Sequence, residues 1–115
     1  GLEVVKLLLR RGLVVFLGCR DAEAGARAAR SAEASALVAG EPRAIPIVLE
    51  VRDPGSVAAA VAEVRAQLGR SRLDVLVNNA GVIPEADAPE FSLENVRETL
   101  RVNFEGAVAV TEAFL

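Results

Sequence analysis

The sequence predicts an α/β fold, a parallel sheet wound with helices. Short apolar runs of strand length alternate with longer stretches whose apolar residues recur at helical spacing. The links between them are short, and such alternation implies parallel strands joined by right-handed crossovers. One stretch, Leu73-Asp74-Val75-Leu76-Val77-Asn78-Asn79-Ala80-Gly81, passes from a buried-strand pattern straight into a polar turn. Open α/β sheets place their ligands at such carboxyl ends of strands.

Taken in order, residues 1–11 read as a helix with Leu2, Val5, Leu8 and Leu9 on one face. Arg10 and Arg11 stand in its last turn, and Gly12 is the residue after the cap. Residues 13–17 form an unbroken apolar strand closed by Gly18, apolar on both faces as a strand covered on both sides would be. Asp21 is the N-cap of an Ala-rich helix over residues 22–37, which Gly40-Glu41-Pro42 ends. Residues 44–51 are the second strand, with Pro46 favouring an edge position. Asp53-Pro54 then starts a helix whose buried stripe is Val57, Ala60, Val61, Val64 and Leu68, closed by Gly69. Residues 73–77 are the third strand, and residues 82–91 a polar loop. Ser92 caps the last helix, with Leu93, Val96, Leu100, Asn103, Ala107 and Phe114 near one face.

Composition narrows the class. The 115 residues have room for one domain, and 52% hydrophobic with 25% charged residues indicates a packed core. A net charge of −3 and a pI near 5.0 argue against a nucleic-acid binder. One Cys and no His argue against disulfides and Cys/His metal sites. No apolar run reaches the length of a membrane span, and no signal-peptide pattern is present. A soluble, intracellular, cytoplasmic protein is expected. The sequence has no Met and stops at Phe114-Leu115 inside an apolar helical pattern, so it is expected to be a piece of a longer chain.

Four places carry candidate chemistry. Asn78-Asn79-Ala80-Gly81 is either a ligand turn or a plain polar turn. In a dinucleotide-binding sheet, Gly18-Cys19-Arg20 would face the adenosine ribose, where an arginine accommodates a 2′-phosphate; the bland alternative is a solvated Arg. Glu50 could accept from an adenine amino group while Val51 packs on the ring, or both could belong to a helix entry capped by Asp53. Asn103, on the buried stripe, needs partners for its amide, and Gly106 would loosen the same turn.

On these residues the chain resembles the short-chain dehydrogenase/reductase superfamily along its whole length. The stretch from Leu73 to Val82 looks like that family's fourth strand and NNAG motif, and Asn103 with Gly106 like its NxxG helix motif. Gly1 looks like the last glycine of the cofactor-binding TGxxxGxG motif. Cys19-Arg20-Asp21 with Gly25 resembles the NADP-preferring carbonyl-reductase-like and retinol-dehydrogenase-like members. Glu50 departs from the family's usual Asp.

The resemblance implies a Rossmann-type, doubly wound parallel sheet, here incomplete, with strand order 3-2-1-4 and residues 1–115 forming part of an NAD(P)-binding domain. It implies NADP in preference to NAD, held by Gly1, Cys19, Arg20, Glu50, Val51, Asn79, Ala80 and Gly81. The reaction would pass hydride between the nicotinamide and a small-molecule carbonyl or alcohol substrate. Asn103 would be the catalytic Asn that holds a water in the proton relay. The family's Ser, Tyr and Lys are not here: the sequence has no Tyr, and its one Lys is Lys6. These residues alone are therefore expected to be inactive and, with strand edges unpaired, not to fold cooperatively. The alternatives are a non-catalytic dinucleotide-binding or regulatory remnant and a generic α/β interaction domain.

Overall fold

The computed structural model describes residues 1–36, 40, 43–69, 72–83 and 92–115. The predicted polar loop falls largely outside the described residues, as do Leu37 at the end of the second predicted helix and Glu41-Pro42 beyond it. The chain divides into two compact units, Gly1–Glu50 and Val51–Leu115.

The first unit contains α1 (Leu2–Arg10), β1 (Val15–Cys19), α2 (Ala22–Ser35) and β2 (Ala44–Val48). Helix α1 ends at a Schellman motif: Gly12 takes φ +76°, its N–H donates to Leu9 O (2.9 Å), and Leu13 N–H donates to Leu8 O (3.2 Å). Because Leu13 is spent there, β1 begins two residues later than predicted, where Val15 N–H reaches Arg43 O (3.0 Å). The strand also runs through Gly18 rather than stopping at it. Its residues are half-buried at best, and Leu13 and Val14 are exposed, so the expected two-sided cover is not found.

Strands β1 and β2 pair in parallel, Val15 opposite Ala44 through Cys19 opposite Val48. Strand β2 is shorter than predicted, since Leu49 and Glu50 leave the ladder after Leu49 N–H donates to Cys19 O (2.8 Å). Glu33 on α2 accepts the first β2 N–H, that of Ala44 (2.8 Å). The core joins Val5 and Leu9 of α1 to Ala29, Ala32 and Ala36 at the small-residue face of α2, with Ala44 beneath. Leu9 is fully buried, a contribution of about 1.5–3 kcal/mol.

The second unit contains α3 (Pro54–Leu68), α4 (Leu93–Leu100), a π-helical turn (Arg101–Gly106) and α5 (Ala107–Phe114). Helix α3 starts as predicted, with the Asp53 carboxylate accepting Gly55 N–H (2.9 Å) and Pro54 in the first turn; it ends at Gly69 in the left-handed region. Val57, Ala60, Val61 and Val64 are its buried face, and α5 packs on α3. Ser92 caps α4 by accepting Asn95 N–H (3.1 Å).

Two expectations fail in this unit. Residues 73–77 are not a strand: among the described residues the sheet contains only β1 and β2, and Val75 and Val77 are exposed. An apolar run becomes a strand only where a neighbour takes its N–H and C=O groups, and the run itself does not encode that neighbour. The predicted stripe of the last helix is also displaced. Val102, Gly106 and Val110 are buried, whereas Asn103, Leu93 and Leu100 are exposed. A π turn inserts a residue into the helical period and rotates the later residues by roughly 100°, so a uniform 3.6-residue reading misplaces Asn103 and the residues after it; the exposure of Leu93 and Leu100, which precede the turn, has no such cause.

Candidate functional site

The first unit gathers Cys19, Arg20 and Glu50 where β1 and β2 end side by side, as parallel pairing requires. The Cys19 carbonyl accepts Leu49 N–H, which brings Glu50 next to this end. The Cys19 thiol donates to Ile47 O (3.4 Å). Burial, with the Asp21 carboxylate adding to it, pushes that thiol above its ordinary pKa, so Cys19 is neutral at physiological pH. The Asp21 carboxylate is engaged by Ala24 N–H (2.6 Å) as the N-cap of α2. Between them the Arg20 side chain is exposed, and among the described residues it makes no hydrogen bond or ion pair. This end of the sheet thus presents an exposed guanidinium between a neutral thiol and a carboxylate engaged as a helix cap, and a guanidinium is a group suited to a phosphate. Gly1, in the same unit, is exposed at the N-terminus of α1, its carbonyl accepting Val5 N–H (3.2 Å).

The second unit gathers the polar turn and Asn103. Val82 N–H donates to Asn103 Oδ1 (2.8 Å), and Asn103 Nδ2 donates to Val82 O (2.9 Å). The side-chain amide thus pairs with the backbone as a neighbouring strand would. It leaves one lone pair on Oδ1 and one N–H on Nδ2 for a further partner such as water. Gly81 lies against the same amide: a Cβ there would sit 3.5 Å from Asn103 Oδ1. Asn78 Nδ2 donates to Thr111 Oγ1 (2.9 Å), whose own hydroxyl donates to Ala107 O (2.7 Å). Asn79 and Ala80, between these two anchors, are exposed.

Thr111 is the residue that sequence reasoning missed. Its signal was there, because positions 103, 107 and 111 are four apart and such residues share a helix side. Val51 belongs to this unit as well, packed on the backbone of Gly106. A Cβ on Gly106 would meet Val51 Cγ2 at 2.7 Å and Val51 Cβ at 3.0 Å, so the π turn closes here only around glycine. Arg52 pairs with Glu98, joining the start of the unit to α4; both side chains are part-exposed, and such pairs contribute about 0–1 kcal/mol. Among the described residues no group of three or more His, Cys, Asp or Glu is placed to hold a metal, and no helix is long and apolar enough to cross a membrane.

An α/β chain with an Asn-Asn-Ala-Gly turn pinned by a helical Asn defines a class. A family model for short chain dehydrogenases matches residues 1–115, and the chain belongs to that family. Over 116 aligned residues it is 34% identical to the bovine 17-beta-hydroxysteroid dehydrogenase type 6; the match covers all of this chain and 34% of that protein. Among solved structures it is similar to NADPH-bound carbonyl reductase from chicken fatty liver (TM-score 0.74, 28% identity, 99% of this chain and 46% of that one). It is also similar to menthone neomenthol reductase from Mentha piperita (TM-score 0.82, 26% identity, 100% of this chain and 50% of that one). The fold class is therefore α/β of the Rossmann type, and the chain spans between a third and a half of the length of these relatives.

Proposed function

We propose that this chain is the nucleotide-binding portion of an NADP(H)-dependent oxidoreductase acting on a small-molecule carbonyl or alcohol. The observation that carries the reading is the exposed Arg20 guanidinium, without a partner among the described residues, beside a neutral Cys19 at the end of β1. A 2′-phosphate supplies the charge and oxygen fork such a group binds, and the NADPH-bound state of the similar chicken reductase supports the assignment. When bound, NADP(H) supplies or accepts the hydride.

The chain's own residues bind and orient. Arg20 holds the 2′-phosphate, and Cys19 adds no competing negative charge. Glu50 accepts from the adenine amino group. Ala80 and Gly81 offer backbone with little side chain to obstruct a nucleotide, Asn79 offers an exposed amide beside them, and Gly1 opens the first helix of the binding unit. Asn103 pins this turn through Val82 and keeps hydrogen-bonding capacity for a relay water. None of the 115 residues is a Tyr, and Lys6 is paired with Glu3 (2.7 Å), so these residues alone are not expected to turn substrate over.

The test is Arg20→Asp in the protein, with NADPH and NADH dissociation constants measured by fluorescence titration. Losing a charge-assisted fork should weaken NADPH about a hundredfold more than NADH. Equal effects on the two nucleotides would overturn the assignment.

A further inference from the structure

We infer that Gly25 is a positioning residue for Arg20, and through it a determinant of selectivity for the 2′-phosphorylated nucleotide. The inference rests on Arg20 being the group that holds the 2′-phosphate. Arg20 is the one residue between the end of β1 and the cap of α2, and its neighbours on both sides are held. Cys19 is fixed by its carbonyl, which accepts Leu49 N–H (2.8 Å), and by its thiol, which donates to Ile47 O (3.4 Å). Asp21 is fixed by its carboxylate on Ala24 N–H and by its carbonyl, which accepts Gly25 N–H (2.9 Å).

Gly25 is buried in the first turn of α2, facing Cys19. A Cβ built on it overlaps the Cys19 sulfur and stands 3.3 Å from both Cys19 Cβ and Pro46 Cβ. Its φ is not positive, in contrast to Gly12, Gly40 and Gly69, so glycine is required for space and not for backbone conformation. Glycine also weakens a helix relative to alanine, and the close approach to Cys19 is what accounts for it. With any larger residue the thiol must swing away and release Ile47 O, or α2 must retreat and take the Asp21 carbonyl with it. The retreat of α2 re-aims Arg20, whose next residue moves with the helix, while leaving its charge intact.

The experiment measures NADPH and NADH dissociation constants for Gly25→Ala, alone and with Cys19→Ala. Gly25→Ala should lower the NADPH-over-NADH preference about tenfold, the loss expected when a charge-assisted hydrogen bond is misaligned. Once the sulfur is removed, in the Cys19→Ala background, only the 3.3 Å contacts with the Cβ atoms of residues 19 and 46 remain, and the same change should shift the preference by clearly less than about tenfold. Equal weakening of both nucleotides by Gly25→Ala, or a loss that persists without the sulfur, would overturn the inference. If the single variant does not fold, a folded double variant with the Cys19→Ala preference supports it, and an unfolded double variant counts against it. Arg20→Asp separates the two layers: silence there removes the reading of Arg20, whereas an effect there with a silent Gly25→Ala removes only the role of Gly25.

Discussion

At the end of β1 the backbone does most of the holding. Cys19 is in register with β2, Asp21 caps α2, and Arg20 is carried between two residues with fixed carbonyls. Around residues 78–82 the holding is done by side chains. Asn103 takes both backbone groups of Val82, and Thr111 takes the amide of Asn78. The first arrangement survives the loss of most single side chains, because a parallel ladder and a helix cap remain. The second has no ladder behind it among the described residues, so each side chain is a separate anchor. The polar turn of this family member is therefore the place where one substitution moves the most backbone.

The largest effect expected from that contrast is at Asn103. Asn103→Ala removes both bonds to Val82. Each is worth about 1 kcal/mol, less where water replaces it as it can at this exposed position. Hydrogen exchange at the Val82 amide should speed up about tenfold, equivalent to ~1.4 kcal/mol. Asn103→Asp keeps an acceptor for Val82 N–H but turns a second oxygen toward Val82 O, so it should retain more of the Val82 N–H protection than alanine does. Unchanged exchange in Asn103→Ala would show that the turn is held by something other than this amide.

The same contrast explains what was legible in the sequence. The caps at Asp21, Asp53 and Ser92 and the left-handed glycines at 12 and 69 arise from chemistry within four residues, and all five stand as predicted. Arg20 was legible because its charge and its place after a strand are local facts. The state of residues 73–77 was not, because a strand is a statement about a neighbour far away in sequence. Asn103 was legible as a residue that needs partners, but its partner and its exposure were not. Both depend on a π turn that regular periodicity does not encode. Gly25 could be noticed as a motif position, yet only the fold brings up the thiol that fills the place of its missing side chain.

A smaller effect is expected at Thr111. Thr111→Val has nearly the same shape and removes the oxygen that accepts Asn78 Nδ2. The bond is exposed and neutral, so the loss should be about 0.5 kcal/mol, read as a small drop in melting temperature and faster exchange of the Asn78 side-chain amide. Thr111→Ser should restore the slow exchange. If valine leaves the Asn78 amide unchanged, the turn has one anchor and not two.

The smallest effect is at Cys19, on the backbone-held side. Its thiol pKa is raised chiefly by burial, so the folded state favours the protonated form. Stability from this group is fully present below the thiol's ordinary pKa and is lost as pH rises through the higher folded value. Alkylation, which needs the thiolate, should accordingly be slower near neutral pH than for the same cysteine in the urea-unfolded chain, and its rate should rise at a more alkaline pH. In Cys19→Ala the alkaline decline in denaturant stability should be shallower than in the native sequence. A folded thiol that alkylates as fast as the unfolded one would mean that the end of β1 is open to solvent, and would erase the difference in rigidity between the two regions.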